Sequence, residues 1–368
     1  MQITAIETIP YALRFRDPYV TARGSLDRRE MILVRLRTDD GPIGLGEAVA
    51  LSLRGGQRID VIERGLQRTE RRLRRAGIDD FAGPEPLRAA IDTVVHVAAG
   101  RRIPPPATAA LEMAIFDLAG RVSGMPVWQL LRGDSGGPIA CNATLSAGTP
   151  SEVAADAERW AARGFDSFKL KLGIGDDREQ VRAVRRAAGP EARLRIDANG
   201  SWRVDDAVAI LRQLEPLGVE LAEQPVTKLR EMAEVARETS IPLAADEVVT
   251  TSSEAKKAVR AGACELATVK LAKVGGIGRA AGIASELPVY LSSALDGPIG
   301  IAAAGHAARA LYREHPDPGL AHGLATQLLF SETIASLESE VRDGHLHLPE
   351  GPGLGVEIDE RALDRLRI

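Results

Sequence analysis

IACNATLS (139–146), SFKLKL (167–172), LRIDA (194–198), VELAEQP (219–225), PLAADE (242–247), LATVKLA (266–272) and PVYLSS (288–293) are short β-rich runs. Stretches of helical patterning separate them, such as Pro150 to Arg163 and Arg178 to Ala188. Regular strand–helix alternation implies parallel strands joined by right-handed crossovers. A doubly wound open sheet would alternate in the same way. Here, however, no glycine fingerprint follows the first run, and polar residues collect at the carboxyl ends of successive runs. That placement belongs to a closed barrel, whose site-bearing loops lie on the C-terminal face of the strands. The expected fold is α/β: a modified TIM barrel, (β/α)7β, over residues 131–335.

Before the barrel the texture is different. Ile3 to Leu13 alternates as a strand, a polar loop containing Gly24 follows, and strands at Met31 to Arg37 and Ile43 to Ala48 are joined by the turn Asp39-Asp40-Gly41. Helical patterning runs from Ile59 to Arg75, from Pro86 to Val97 and, after Pro104-Pro105-Pro106, from Ala107 to about Val122. An N-terminal α+β capping domain is therefore expected over 1–130. The alternating tail, HLHLPEGPGLGVEIDE, is expected to return to it, so that 336–368 completes the cap.

The composition excludes several classes of function. The chain has 368 residues, 45% of them hydrophobic and 27% charged, which suits a barrel with a smaller partner domain. A net charge of -4, with both signs interspersed, offers no single-sign field for nucleic acid or anionic lipid. The two cysteines, Cys141 and Cys264, have no ligand-like spacing and fit a reducing cytoplasm. The opening MQITAIETIPYALRF lacks a signal-peptide core, and no run approaches the ~18 apolar residues of a membrane span. A small-molecule substrate is expected, with neither nucleic acid nor membrane as partner, and barrels of this kind often form homo-oligomers.

Reading the strand ends in order gives Lys169 and Lys171, Asp197, Glu223, Asp246 and Lys270. The three acids are spaced by about one βα unit each, so three consecutive strands would aim them at one point. Three converging carboxylates repel unless a cation lies between them, and hard oxygen ligands with room for water favour Mg²⁺ over zinc. Lysines on the strands before and after would face each other across that ion as a general acid/base pair. A carbon acid beside a carboxylate is weak, so its deprotonation requires stabilisation of an enediolate, which Mg²⁺ on the carboxylate oxygens supplies. Lys171 must be neutral to accept the proton, a state that adjacent cations favour. An isolated strand-end acid is ordinarily a helix cap or salt-bridge partner. Five strand ends carrying lysines and acids in this order, with paired lysines on one strand face, point instead to chemistry. A barrel that merely binds a metal is the non-enzymatic alternative, and the facing lysines argue against it.

These residues resemble the muconate-lactonizing subgroup of the enolase superfamily. The resemblance is carried by KLK at Lys169 to Lys171, IDANGSW at Ile196 to Trp202, EQP at Glu223 to Pro225, ADE at Ala245 to Glu247, KLAKVGGI at Lys270 to Ile277, and ALEMAIFDLAGRVSGMPVWQLLRG at Ala110 to Gly133. Enolase-superfamily sites are a known example of a Lys or His base working with Mg²⁺. The resemblance implies that Asp197, Glu223 and Asp246 are metal ligands, that Lys171 and Lys270 are the catalytic pair with Lys169 beside them, and that Asn199, Gln224 and Glu247 support the ligands. The His and Asp pair of mandelate racemases has no counterpart here.

Within the subgroup, LSSALDGPIGIAAAGHAARAL followed by HGLATQLLF is similar to the seventh and eighth strand region of o-succinylbenzoate synthases, so a dehydration is the leading expectation. N-succinylamino acid racemase, dipeptide epimerase and muconate cycloisomerase are the alternatives. Dipeptide epimerases usually carry Asp-x-Asp where this chain reads His322-Gly323-Leu324-Ala325. Substrate contacts are expected from Thr21 and Arg23 in one cap loop, Arg54 in the second, and Ser292, Ser293 and Asp296 after the seventh strand. The two arginines are candidates to pair with a second substrate carboxylate, and Asp296 to cap the following helix or touch substrate.

Overall fold

The structure, a computed structural model, describes residues 2–39, 41–54, 56–73, 81, 83–98, 103–133, 137–311 and 319–368, apart from the side chains of Arg54 and Arg71. Asp40 of the expected turn, the end of the helix expected to reach Arg75, and the Arg54 side chain lie outside the described residues.

The cap begins as one long antiparallel hairpin, β1 (Ile3–Thr21) with β2 (Gly24–Thr38), and β3 (Gly44–Val49) extends it on the β2 side. The sequence predicts that β1 ends at Leu13. Instead the ladder slips between Arg14 and Tyr19 and resumes at Tyr19 opposite Leu26, closing with Thr21 opposite Gly24. Pro18, which has no N–H to give, accounts for the slip. Apolar packing accounts for the extension, since Phe15 stacks on Phe330 at 4.8 Å and on Tyr19 at 5.8 Å. The expected polar loop is therefore a hairpin tip at Ala22 and Arg23.

Helices α1 (Ile59–Leu73), α2 (Pro86–Ala98) and α3 (Pro105–Ser123) follow. Helix α3 is buried along almost its whole length and is rich in Ala, which lets β3 lie directly against it. At Gly44 and Gly46 an added Cβ would run into the carbonyl oxygens of Ala114 and Ala110 on α3, so only glycine permits this approach. A short α4 (Val127–Leu130) leads to the barrel.

After β4 (Ile139–Ala140) the chain alternates as expected: β5 (Ala143–Leu145), α5 (Pro150–Ala161), β6 (Ser167–Lys171), α6 (Asp177–Ala188), β7 (Arg193–Asp197), α7 (Val204–Leu214), β8 (Val219–Glu223), α8 (Leu229–Ala236), β9 (Leu243–Ala245), α9 (Ser252–Ala261), β10 (Leu266–Val269), α10 (Leu271–Val274), α11 (Ile277–Ala284), β11 (Val289–Leu291) and α12 (Pro298–Ala308). Strands β5 to β11 form one parallel sheet in sequence order. The segment His322–Gly323 closes it, pairing with Cys141 on one side and Ser292 on the other. Asn142 N–H donates to His322 O at 2.9 Å and Gly323 N–H to Leu291 O at 2.8 Å. The fold is a modified TIM barrel, (β/α)7β, with an N-terminal α+β cap.

The last elements are β12 (Ala335–Leu337), β13 (Glu340–Arg342), β14 (His345–His347), β15 (Glu357–Ile358) and α13 (Glu360–Leu366). They touch both parts of the molecule. Strand β14 pairs with β4 at the barrel's N-terminal end, whereas Arg367 bridges to Tyr11 of β1 and Glu360 pairs with Arg35 of β2 at 2.6 Å.

Two buried cap carboxylates occupy the N-termini of barrel helices, where amides lack intrahelical partners and the dipole favours negative charge. Glu47 of β3 accepts from Gly297 N–H at 2.6 Å and Ile299 N–H at 3.3 Å at the start of α12. Glu112 of α3 accepts from Ile277 N–H and Gly278 N–H at the start of α11. Among the described residues no helix is long and apolar enough to cross a membrane.

Candidate active site

Strand register brings the predicted groups together. Lys171, Asp197 and Glu223 stand level on three adjacent strands, and Glu223 pairs with Ala244, two residues before Asp246. Side chains two apart share a face, so these groups all project toward the C-terminal mouth of the barrel. Asp197, Glu223 and Asp246 are fully buried.

Lysines lie between the acids. Lys171 Nζ donates to Asp197 Oδ2 at 2.6 Å, and Lys169 Nζ to Glu223 Oε2 at 2.5 Å while standing 3.1 Å from Asp197 Oδ2. From the far side Lys270 Nζ reaches Asp246 Oδ2 at 2.6 Å and lies 3.5 Å from Glu223 Oε1. Burial alone would raise the Asp197 carboxyl, but Lys171, Lys169 and Lys270 overcome it and hold the group well below the usual carboxylate range. Burial would likewise depress Lys169, yet Glu223, Tyr290 and Asp197 keep it well above the ordinary lysine range. Lys169 is therefore a fixed cation beneath the acids, whereas Lys171 and Lys270 line the cavity above them.

With the lysines in these positions, no three acidic, histidine or cysteine side chains among the described residues approach closely enough to cage an ion. The donor set nevertheless fits a hard cation. Glu223 Oε2 receives three donors, Lys169 at 2.5 Å, Thr268 at 2.9 Å and Tyr290 at 2.5 Å, while its buried Oε1 has no hydrogen-bond partner. One oxygen is thus saturated, while the other accepts no hydrogen bond and has only Lys270 Nζ beside it at 3.5 Å, which suits monodentate carboxylate coordination of Mg²⁺.

Two residues shortly after the acids, and one after the seventh barrel strand, hold unusual backbone. Asn199 (φ 51°), Gln224 (φ 40°) and Leu295 (φ 64°) adopt positive φ, a strain that persists where the surroundings enforce it and clusters at functional sites. The Asn199 side chain donates to Asp197 Oδ1 at 2.6 Å. Gln224 Oε1 accepts the amides of Asp246, Glu247 and Val248, at 2.9, 2.8 and 3.3 Å, and so shapes the turn that presents Asp246. Glu247, predicted as a supporting residue, lines the cavity itself.

The cavity has a volume of about 360 Å³ and opens between cap and barrel. Thr21 and Ser293 line it as expected. Arg23 lines it too, but its Nε and Nη2 donate to Asn199 O at 3.0 and 2.7 Å, clamping the hairpin tip to the barrel. Ser292 and Asp296 do not line it. Ser292 is in the barrel wall opposite Gly323, and Asp296 turns back to accept from Ala294 N–H at 2.7 Å. Asp296 does not cap α12 through its side chain, because Glu47 takes that place.

Four residues at the site were not singled out in the sequence. Lys273 donates to Asp246 Oδ1 at 2.7 Å, and its signal was the second lysine of KLAK, one helical turn beyond Lys270. Thr268 lies two residues before Lys270 on the same strand face, a detectable spacing. Tyr290 and Arg29 carried no local signal, because their partners are far away in sequence.

The fold and site define a barrel enzyme whose lysines and acids converge at the strand C-termini. Residues 3–132 match the mandelate racemase/muconate lactonizing enzyme N-terminal domain, and residues 152–362 match the enolase C-terminal domain-like family. The chain belongs to the enolase superfamily, in its muconate-lactonizing subgroup, whose enzymes act as lyases or isomerases. It superposes on muconate lactonizing enzyme from Pseudomonas fluorescens complexed with muconolactone with a TM-score of 0.91, at 29% identity over 100% of this chain and 99% of that one. N-succinyl Arg/Lys racemase from Bacillus cereus gives 0.89, at 28% identity over 100% and 98%. A dipeptide epimerase from Cytophaga hutchinsonii, complexed with Mg and D-Ala-L-Val, gives 0.88, at 27% identity over 100% and 99%.

Proposed function

We propose that this enzyme removes a proton from the carbon next to a carboxylate, with Mg²⁺ held by Asp197, Glu223 and Asp246. The observation that carries this reading is that Lys171 and Lys270 enter one cavity from opposite sides of the three buried acids. Bound there, the cation would neutralise charge building on the substrate carboxylate. Lys171 takes the α-proton, and Lys270 presents a positive charge to the enediolate from the other face. Lys169, Tyr290 and Thr268 orient Glu223, while Gln224 and Asn199 hold the other two acids. The cap hairpin, clamped through Arg23, screens the cavity from bulk water.

The reaction we assign is a syn dehydration of the o-succinylbenzoate synthase type. It is supported by the similarity of LSSALDGPIGIAAAGHAARAL and HGLATQLLF to that group. Racemisation of N-succinylamino acids is the second reading, favoured by the likeness to the Bacillus cereus racemase and by the two facing lysines. An acid pair for a dipeptide ammonium is missing at 322–325, where His322 instead accepts the Leu291 amide at 2.9 Å.

A solvent-deuterium exchange screen with Mg²⁺ tests the assignment. Its substrates are succinylated amino acids, dipeptides and the cyclohexadiene precursor of o-succinylbenzoate. Exchange and dehydration of the last are expected. Asp197→Asn, Glu223→Gln and Asp246→Asn should each abolish turnover without unfolding the chain, and full activity in EDTA would refute the metal's role.

A further inference from the structure

One layer below the acids the barrel interior holds an apolar cluster, in which Leu221, Ala244 and Leu266 pack with Tyr290 and Leu320 lies against them. Branched aliphatic side chains are the usual filling of such a layer. Arg195 of β7 departs from it. It stands level with Lys169 of β6 and Leu221 of β8, two residues before Asp197 on the same strand face, and is fully buried. A guanidinium in this place costs stability even when it is paired, and an apolar side chain of similar volume would fill the layer without that cost.

Three contacts fix the guanidinium. Nε donates to Glu220 Oε2 at 2.6 Å, Nη1 donates to the carbonyl of Ala321 in the segment that closes the barrel, and Cζ lies over the Tyr290 ring, 5.2 Å from its centre. Glu220 is the residue left unmatched where the β7–β8 ladder slips between Leu194 and Arg195. Such a bulge re-aims a side chain, and here it sets a carboxylate on the arginine. Tyr290, itself fully buried, donates in turn to Glu223 Oε2 at 2.5 Å, beside Thr268, its neighbour across β10 and β11. A chain of contacts thus runs from Glu220 through Arg195 and Tyr290 to Glu223. A cation over an aromatic face is held most strongly where water is excluded, and charged and hydrogen-bonded groups in series polarise one another there.

We propose that Arg195 is a positioning residue for the acid site: anchored by Glu220 and Ala321, its guanidinium holds the Tyr290 ring so that the phenol stays on Glu223 Oε2 and not on Oε1. This rests on the Mg²⁺ site proposed above and adds to it a residue that touches neither ion nor substrate. Lysine at this position keeps the charge, but it has no planar fork to lie over the ring while bonded to both anchors.

The test is a double-mutant cycle on Mg²⁺ affinity, read by calorimetry for wild type, Arg195→Lys, Tyr290→Phe and the double variant. Arg195→Lys should weaken Mg²⁺ binding by about 5-fold, less than the ~10-fold of Tyr290→Phe, and should add little once Tyr290→Phe is present. A packing role would lower the melting temperature with affinity unchanged, or weaken binding equally in both backgrounds, and either result overturns the proposal. A second readout needs no metal. In protein whose tyrosines carry an NMR-active carbon at Cζ, the Tyr290 resonance is identified by its loss in Tyr290→Phe. It should move in Arg195→Lys in the direction that it takes in Glu223→Gln, which weakens the same hydrogen bond; an unmoved resonance overturns the proposal. If Arg195→Lys does not fold, Glu220→Gln, at a partly exposed side chain, takes its place with the same expectations. If wild type binds no Mg²⁺, the metal reading fails, and the Tyr290 resonance alone decides Arg195.

Discussion

Raising the pH should loosen the joint between cap and barrel, because its two docking carboxylates are better proton holders when folded. Burial pushes Glu47 up from 4.5 to about 8, with Asp296 adding to the rise and the amides of α12 opposing it. Burial likewise pushes Glu112 up to about 7, against the amides of α11. A folded-state value above the unfolded one means that the native chain binds the extra proton. The stability linked to each group is therefore fully present below about pH 4.5 and is lost as pH rises through the folded value. Each pH unit inside the window removes about 1.4 kcal/mol per group. From about pH 5.5 to about pH 9, Glu47 should lose on the order of 3 kcal/mol and Glu112 on the order of 2. Neither loss needs discounting for solvent, since Glu47 is 1% and Glu112 5% exposed. At ~2.1 cal/mol/K per residue, one kcal/mol moves the melting temperature of a chain this long by little more than ~1 °C, so the combined fall is roughly 6 °C. The assay is urea unfolding and thermal melting across that range for wild type and Glu47→Gln. The glutamine variant will be less stable at low pH, but its slope should be shallower by the Glu47 share. A wild-type profile flat from about pH 5.5 to about pH 9, or an unaltered slope in Glu47→Gln, would refute the reasoning.

Lys171→Ala should lose at least ~10²-fold in turnover, the usual contribution of a positioned base, and near wild-type rates would move the base elsewhere. Lys270→Arg keeps the positive charge but cannot accept a proton, since its pKa exceeds ~12, so measurable dehydration should survive while any racemase side activity disappears. Equal loss of both activities would mean that Lys270 transfers protons in each. Tyr290→Phe removes one of three donors from Glu223 Oε2 and should weaken Mg²⁺ binding, followed by calorimetry, by ~10-fold; unchanged affinity would reduce the phenol to packing. Gly46→Ala forces β3 off α3 and should cost ~3 kcal/mol or more, read by urea unfolding, and a neutral result would show that the joint has slack.

The order of chemistry along the chain was legible from the sequence because it depends on local periods. A strand repeats every two residues and a βα unit roughly every twenty-five, so KLK, IDA, AEQ, ADE and TVK announce a barrel and the acids at its mouth. The strand at Ile3 was legible for the same reason, but its true length was not. Local patterning stops at Leu13, whereas pairing with β2 and stacking on Phe330, far along the chain, carry the strand to Thr21. The same limit explains which site residues were hidden. Arg23 reads from its loop as a substrate contact, and only the folded molecule commits it to the carbonyl of Asn199. Tyr290 reads as an ordinary strand aromatic until the closed barrel sets its hydroxyl against Glu223. Nothing local marks Glu47 and Glu112 until docking places each at the N-terminus of a barrel helix. Residue type and spacing determined which groups converge at the barrel mouth. Which oxygen of Glu223 is saturated with donors, which lysine lies beneath the acids and which arginine is clamped to the barrel depend on contacts between elements remote in sequence, and tertiary packing alone decided them.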